Sequence, residues 1–143
     1  MALVESYMLP LGTKSPKFSL LNVLNNQNET LDELKGEKGT LIIFMCNHCP
    51  YVVHLLNGII DTAKDFSKKG ILTIAISSNS IITHPQDGPK KMKEIGILKK
   101  FPFPYLYDKS QKVAKEFKAA CTPDFYLFDD KLELFYRGRY DLS

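Results

Sequence analysis

At 143 residues, 44% hydrophobic and 24% charged, the chain has ordinary globular composition and length enough for one domain with its own core. A net charge of +3 is too weak to argue for nucleic acid, and the lysine clusters Lys90-Lys91-Lys93 and Lys99-Lys100 read as solvated helix ends. No apolar run is long enough to span a membrane, and Met1–Tyr7 has neither a basic segment nor a long apolar core, so a cytoplasmic, reducing setting without membrane contact is expected.

Taken in order, Gly12 to Leu34 reads as a small hairpin around a polar turn at Asn25-Asn26-Gln27-Asn28, followed by one helical turn over Leu31 to Leu34 that ends near Gly36. Leu41-Ile42-Ile43-Phe44-Met45 is an unbroken apolar run, the pattern of a strand buried on both faces. A helix is predicted from Val52 through Lys69, stopping at Gly70 with lysines in its last turn. Ile71 to Ile76 is a second apolar strand, and strand–helix–strand of this length predicts a right-handed unit with a parallel pair. After Ser77-Ser78-Asn79 comes a polar, proline-containing loop, then a helix from Pro89 to about Ile95. Tyr105-Leu106-Tyr107 is a short strand, and Ser110 is expected to cap a helix over Gln111 to Lys118 with Val113, Ala114 and Phe117 on one face. Asp124 to Phe128, a turn at Asp129-Asp130-Lys131 and Leu132 to Tyr136 read as an antiparallel hairpin.

The motif that carries chemistry is Cys46-Asn47-His48-Cys49, between the first apolar strand and the long helix. A helix N-terminus offers unpaired N–H groups and the positive end of the macrodipole, and a thiolate is the negative charge they favour. Free cysteine ionises near about 8.5, and such surroundings bring it down to roughly 3.5–7.5. Reversible thiol–disulfide exchange is therefore the expected chemistry. Half a zinc knuckle is the alternative, but tetrahedral zinc needs two more ligands and the chain has no second CxxC and no close histidine pair. His48, inside the motif, would stabilise a Cys46 thiolate and raise the pair's potential from the roughly −270 mV of thioredoxin toward the oxidising half of a range ending near −120 mV; the bland reading is a solvent-facing side chain. Cys121 reads as a buried structural cysteine, with an auxiliary redox role as second choice. His54 and His84 read as incidental, and Tyr7, Tyr51, Phe101 and Phe103 as packing. No phosphate cradle or nucleotide motif is present, so neither metal nor organic cofactor is expected.

The order of elements, the CxxC at a strand-to-helix junction and Thr122-Pro123 before the strand opposite the pair resemble a thioredoxin fold. Within that superfamily the chain resembles the redoxin branch, the AhpC/TSA family of peroxiredoxins and TlpA- and ResA-type disulfide reductases. The residues that carry the likeness run from Gly12 to about Arg137: Gly12-x-x-x-Pro16-x-Phe18-x-Leu20, Leu34-Lys35-Gly36, Phe125-Tyr126-Leu127-Phe128-Asp129, and an interval between Cys49 and Pro123 longer than in plain thioredoxin. The resemblance implies an α/β fold, a central mixed sheet with an N-terminal hairpin and helices on both faces, as one domain over 1–143 shortened at its C-terminus and lacking the final helix. It implies Cys46 as the attacking thiol, Cys49 as the resolving thiol, and a cis Pro123 behind Thr122 presenting backbone groups to an extended substrate. Four positions depart from the family patterns. Met45 stands where thioredoxins carry tryptophan, and Thr40 where they bury an acid. Cys46 occupies the threonine position of the peroxiredoxin pattern although Cys49-Pro50 matches its other half, and Asp124 replaces the peroxiredoxin arginine.

The expected function is a thiol–disulfide oxidoreductase acting on protein or small-molecule disulfides, with electrons from a reducing dithiol or glutathione system. A thiol peroxidase is the first alternative. A copper chaperone of the SCO type is the second, disfavoured because those proteins use CxxxC with a remote histidine. The resemblance implies that the final helix is missing, which leads to the expectation of an uncovered apolar sheet face, closed by a homodimer or by neighbouring molecules in a crystal.

Overall fold

In a computed structural model the described residues are 9–45, 50–78, 88–119 and 123–139, with 50–54 and 139 described by backbone alone. Seven strands form one sheet in the order β2-β1-β5-β4-β3-β6-β7. They are β1 (Ser19–Asn22), β2 (Gln27–Thr30), β3 (Gly39–Phe44), β4 (Ile71–Ser77), β5 (Tyr105–Tyr107), β6 (Asp124–Asp129) and β7 (Leu134–Arg139). The helices are α1 (Leu31–Leu34), α2 (Pro50–Lys68), α3 (Pro89–Leu98) and α4 (Lys112–Glu116). β3, β4 and β5 run parallel, while β1–β2, β1–β5, β3–β6 and β6–β7 are antiparallel, so the sheet is mixed.

β3 lies between β4 and β6, and all six of its residues are buried. Side chains alternate across a strand, so its neighbours divide into two cores. Leu41, Ile43 and Met45 pack with Leu56, Ile59 and Ile60 of α2 and Met92 of α3. Ile42 and Phe44 pack with Ile74, Ile76, Tyr126 and Phe128, under Val113 of α4, Phe117 just after it and Leu31 of α1. The sheet thus carries helices on both faces. Among the described residues no helix is long and apolar enough to cross a membrane.

Several boundaries differ from those expected, each for a local reason. α2 starts at Pro50, two residues before Val52, because proline suits the first helical position, where its missing N–H costs nothing. It stops where Gly70 adopts φ +82°. α3 continues past Ile95 to Leu98 through Gly96, which is buried against Leu24. The hairpin turn falls on Val23–Asn26, ahead of the expected position: the Asn22 and Asn25 side-chain oxygens accept from the Leu24 and Gln27 N–H groups, each at 3.0 Å, and Asn26 takes φ +61°. The same arrangement closes the last hairpin, where Asp129 Oδ1 accepts from Lys131 and Glu133 N–H and Leu132 takes φ +61°, so β7 begins at Leu134.

The largest correction concerns α4. It spans only Lys112–Glu116, because Gln111 and Lys118 sit at φ +64° and +56° and end it on both sides. Ser110 is not its N-cap. That position belongs to Gln111, which makes no side-chain cap, while Ser110 Oγ accepts only from Lys112 N–H at 3.3 Å. Asp108 satisfies the first turn from further upstream, its Oδ2 accepting from Ala114 N–H at 2.9 Å. α1 carries a capping box: Thr30 Oγ1 accepts from Glu33 N–H and Glu33 Oε1 from Thr30 N–H.

Gly36 lies where chains cross at the foot of β3. A Cβ there would collide with the Gly39 carbonyl oxygen and lie 2.7 Å from that of Gly70, both backbone atoms. Gly36→Ala should therefore destabilise the fold by about 1–3 kcal/mol, the usual cost of overpacking. Urea unfolding should show a lowered midpoint at unchanged slope; an unaltered midpoint would show that the crossing relaxes freely.

Candidate functional site

The parallel strands β3, β4 and β5 end at one edge of the sheet, and β6 begins there. Pairing persists one residue beyond β3, since Met45 N–H donates to Ile76 O at 2.9 Å. Met45 is buried, at 2% exposure. Cys46 follows it by one peptide bond, and Cys49 immediately precedes Pro50, the first residue of the 19-residue α2. No acidic residue stands in the first turn of α2, so no carboxylate there competes for the positive end of its dipole.

Of the site residues named from sequence, Pro123 is described. It is buried and directly precedes β6, whose first residue, Asp124, pairs with Phe44 of β3. Cys46, Asn47, His48, Cys49, Cys121 and Thr122 lie outside the described residues, as does His84. Thr40, the position at which thioredoxins bury an acid, sits at the opposite end of β3 across from Phe128, and its hydroxyl accepts from Gly36 N–H at 3.0 Å. Its role is to hold the turn into the strand.

Two buried carboxylates at the site edge are not among the site residues named from sequence. Asp124 is 1% exposed, and Tyr126 Oη donates to its Oδ2 at 3.2 Å. Asp108, also 1% exposed, accepts at Oδ2 from Ser78 Oγ at 2.8 Å, while Gln111 Nε2 donates to Ser78 O at 2.8 Å. This network clamps the end of β4 to the start of α4. An aspartate between a Tyr-Leu-Tyr strand and a short helix is the signal that could have disclosed Asp108. Asp124 had only its deviation from the family pattern to mark it.

A groove of about 480 Å³ lies away from this edge. Leu41, Ile43, Phe125 and Leu127 form its floor, with α2 along one side and Tyr136 of β7 on the other. Phe135 and Tyr136 are 55% and 56% exposed.

The model of the AhpC/TSA family matches residues 11–137. The chain belongs to the AhpC/TSA family. It is 45% identical to an uncharacterized conserved protein of known crystal structure from Geobacillus kaustophilus, with a TM-score of 0.91 over 95% of this chain and 72% of that one. A hypothetical protein from Sinorhizobium meliloti 1021 is 35% identical, with a TM-score of 0.88 over 94% and 73%. A candidate thioredoxin from Neisseria meningitidis, solved in solution, is 28% identical, with a TM-score of 0.72 over 91% and 83%. No curated protein matches. The thioredoxin-like fold and the redoxin branch expected from the sequence are thus both found, and membership puts the chain among thiol-based redox proteins, oxidoreductases and peroxidases alike.

Tyr107 ends β5 at the same edge, and burial pushes its phenol above its ordinary value near 10. The folded state keeps the phenol neutral while the unfolded chain ionises first, so the stability held below about pH 10 is lost as pH rises beyond it. Tyr107→Phe should therefore lose less stability than the parent between about pH 10 and 11, with parallel behaviour at lower pH. Urea midpoints measured across that range decide the matter; parallel decline throughout would remove the burial argument.

Proposed function

We propose that the chain is a thiol–disulfide oxidoreductase whose working pair is Cys46 and Cys49. The observation that carries the reading is the brevity of the link between β3 and α2: four residues, two of them cysteine, join buried Met45 to the first residue of a long helix. The Cys46 thiolate attacks one sulfur of a substrate disulfide, forming a mixed disulfide and expelling the other sulfur as thiolate. Cys49 then loses its proton and attacks Cys46 Sγ, releasing the second substrate thiolate. Two electrons pass to the substrate, and the chain is left with an internal disulfide that an external dithiol or glutathione reduces. His48 supports the Cys46 thiolate, and Thr122 with Pro123 holds an extended substrate segment.

The expected results are specific to each cysteine. Cys46→Ser should abolish reduction of a protein disulfide such as insulin, using dithiothreitol as donor. Cys49→Ser should accumulate a covalent adduct through Cys46, visible as added mass and reversible by reductant. Full activity in Cys46→Ser would end this assignment.

One feature favours a second reading. Cys49-Pro50 with proline opening α2 matches half of the peroxiredoxin pattern. In a thiol peroxidase a cysteine thiolate displaces water from peroxide to become a sulfenic acid, and the other cysteine condenses with it, releasing a second water. Steady-state peroxide consumption with a thiol donor separates the two. Rapid turnover lost on replacing one cysteine would favour the peroxidase.

A further inference from the structure

Positive charge and exposed apolar surface coincide at one end of the molecule. Residues 89–100, which cover α3 and the turn after it, hold five lysines and one glutamate, a surplus of four positive charges. The whole chain has a surplus of only three, so everything else together is one unit negative. Lys91 Nζ lies 3.5 Å from Glu94 Oε2, while Lys90, Lys93, Lys99 and Lys100 have no carboxylate partner among the described residues. In the same segment Ile97 and Leu98, at 62% and 72%, are the most exposed large hydrophobic side chains among the described residues. Solvated helix ends, expected of these lysines from sequence, leave that adjacent apolar pair unexplained.

The pair is held outward by the packing of α3. Gly96 is buried against Leu24 with no room for a side chain between them, which fixes the inner face of the helix. At roughly 100° per residue, Leu98 stands about 200° round from Gly96, on the outer side, with Ile97 between them. The helix end is closed as well. Phe101 N–H donates to Gly96 O at 3.0 Å and Lys100 N–H to Ile97 O at 3.2 Å, with Lys100 at φ +54°. The Phe101 ring packs 4.8 Å from Phe103 and 5.3 Å from Tyr105. Ile97-Leu98-Lys99-Lys100 is therefore a rigid tip. α2 packs on the same sheet face and brings exposed Lys68 and Lys69 to the same end, because each helix finishes ahead of the next parallel strand.

We propose that this tip docks on an anionic lipid bilayer, with the lysines against the headgroups and Ile97 and Leu98 in the interfacial layer beneath them. A bilayer surface rewards clustered lysines and a few inserted aliphatic side chains without asking for shape complementarity. A specific protein interface needs about 1,000 Å² or more, which two side chains do not supply. A nucleic acid would meet the lysines and gain nothing from an exposed isoleucine and leucine. β4 and β5 start at this end and finish roughly 20 Å away, so the edge at which the parallel strands end faces the aqueous phase. The competing role is structural: lysines that only complement the C-terminal dipoles of α2 and α3, beside ordinary exposed aliphatics. None of this depends on the redox reading above.

The test is flotation with vesicles at low salt. The parent chain should float with phosphatidylcholine vesicles containing about a third phosphatidylglycerol, stay behind with pure phosphatidylcholine, and be released by about 0.5 M salt. Ile97→Ser with Leu98→Ser, and separately Lys99→Gln with Lys100→Gln, should each lower partitioning at least about tenfold. Lys112→Gln with Lys115→Gln removes the same charge from α4 on the opposite sheet face, and should lower it less than about threefold. The chain contains no tryptophan, so Leu98→Trp places a sole reporter on the tip, and its emission should shift to the blue on the anionic vesicles alone. An unshifted emission, absence of flotation, or equal losses from all three double variants would overturn the proposal. So would a duplex RNA that strips the chain from vesicles and binds the Ile97→Ser, Leu98→Ser protein as tightly as the parent.

Discussion

The structure depends on β3 being buried on both faces and hydrogen-bonded along both edges, with β4 on one side and β6 on the other. A strand so enclosed has no freedom to slide, because a one-residue slip would turn every side chain to the opposite core. Its final position is therefore set to within a residue, and whatever follows Met45 starts from a defined place. α2 is held just as firmly through Leu56, Ile59, Ile60 and Ala63 on one sheet face. A four-residue link between two such elements is constrained at both ends, and a fixed approach geometry is what thiol–disulfide exchange demands.

The two faces of the sheet do different things at this edge. The α2 face brings the helix terminus whose dipole favours a thiolate. The opposite face, sealed by α4 and the cluster of Phe44, Phe117, Tyr126 and Phe128, carries the buried carboxylate of Asp124. Ionised groups in such surroundings are costly unless donors or cations meet them. Tyr126 is one such donor. Asp108 meets the same cost by capping α4 and holding Ser78, which explains why an apolar core tolerates it.

Much of this was legible in the sequence where a signal is local. β3 and β4 are built on apolar runs, a glycine stands just past the end of α2, and the hairpins are bracketed by asparagine and aspartate. What escaped depends on partners distant in the chain. α4 is short because Gln111 and Lys118 adopt left-handed backbone conformations, and it is capped by Asp108 rather than the adjacent Ser110. β7 runs to Arg139 because β6 offers pairing as far as Asp124, although Arg137-Gly138-Arg139 has no strand signature. At the site, CxxC is readable because its spacing is covalent. The burial of Asp124 is not, since its place opposite Phe44 follows from an antiparallel register that no window of sequence contains.

All of this chemistry requires the sulfur that follows Met45 to be ionised at neutral pH by the amino end of α2. The direct measurement is the rate of Cys46 alkylation by iodoacetamide against pH in the folded Cys49→Ser protein, with Cys121 also replaced. The account predicts an inflection well below the roughly 8.5 of free cysteine. An inflection at or above that value would contradict it.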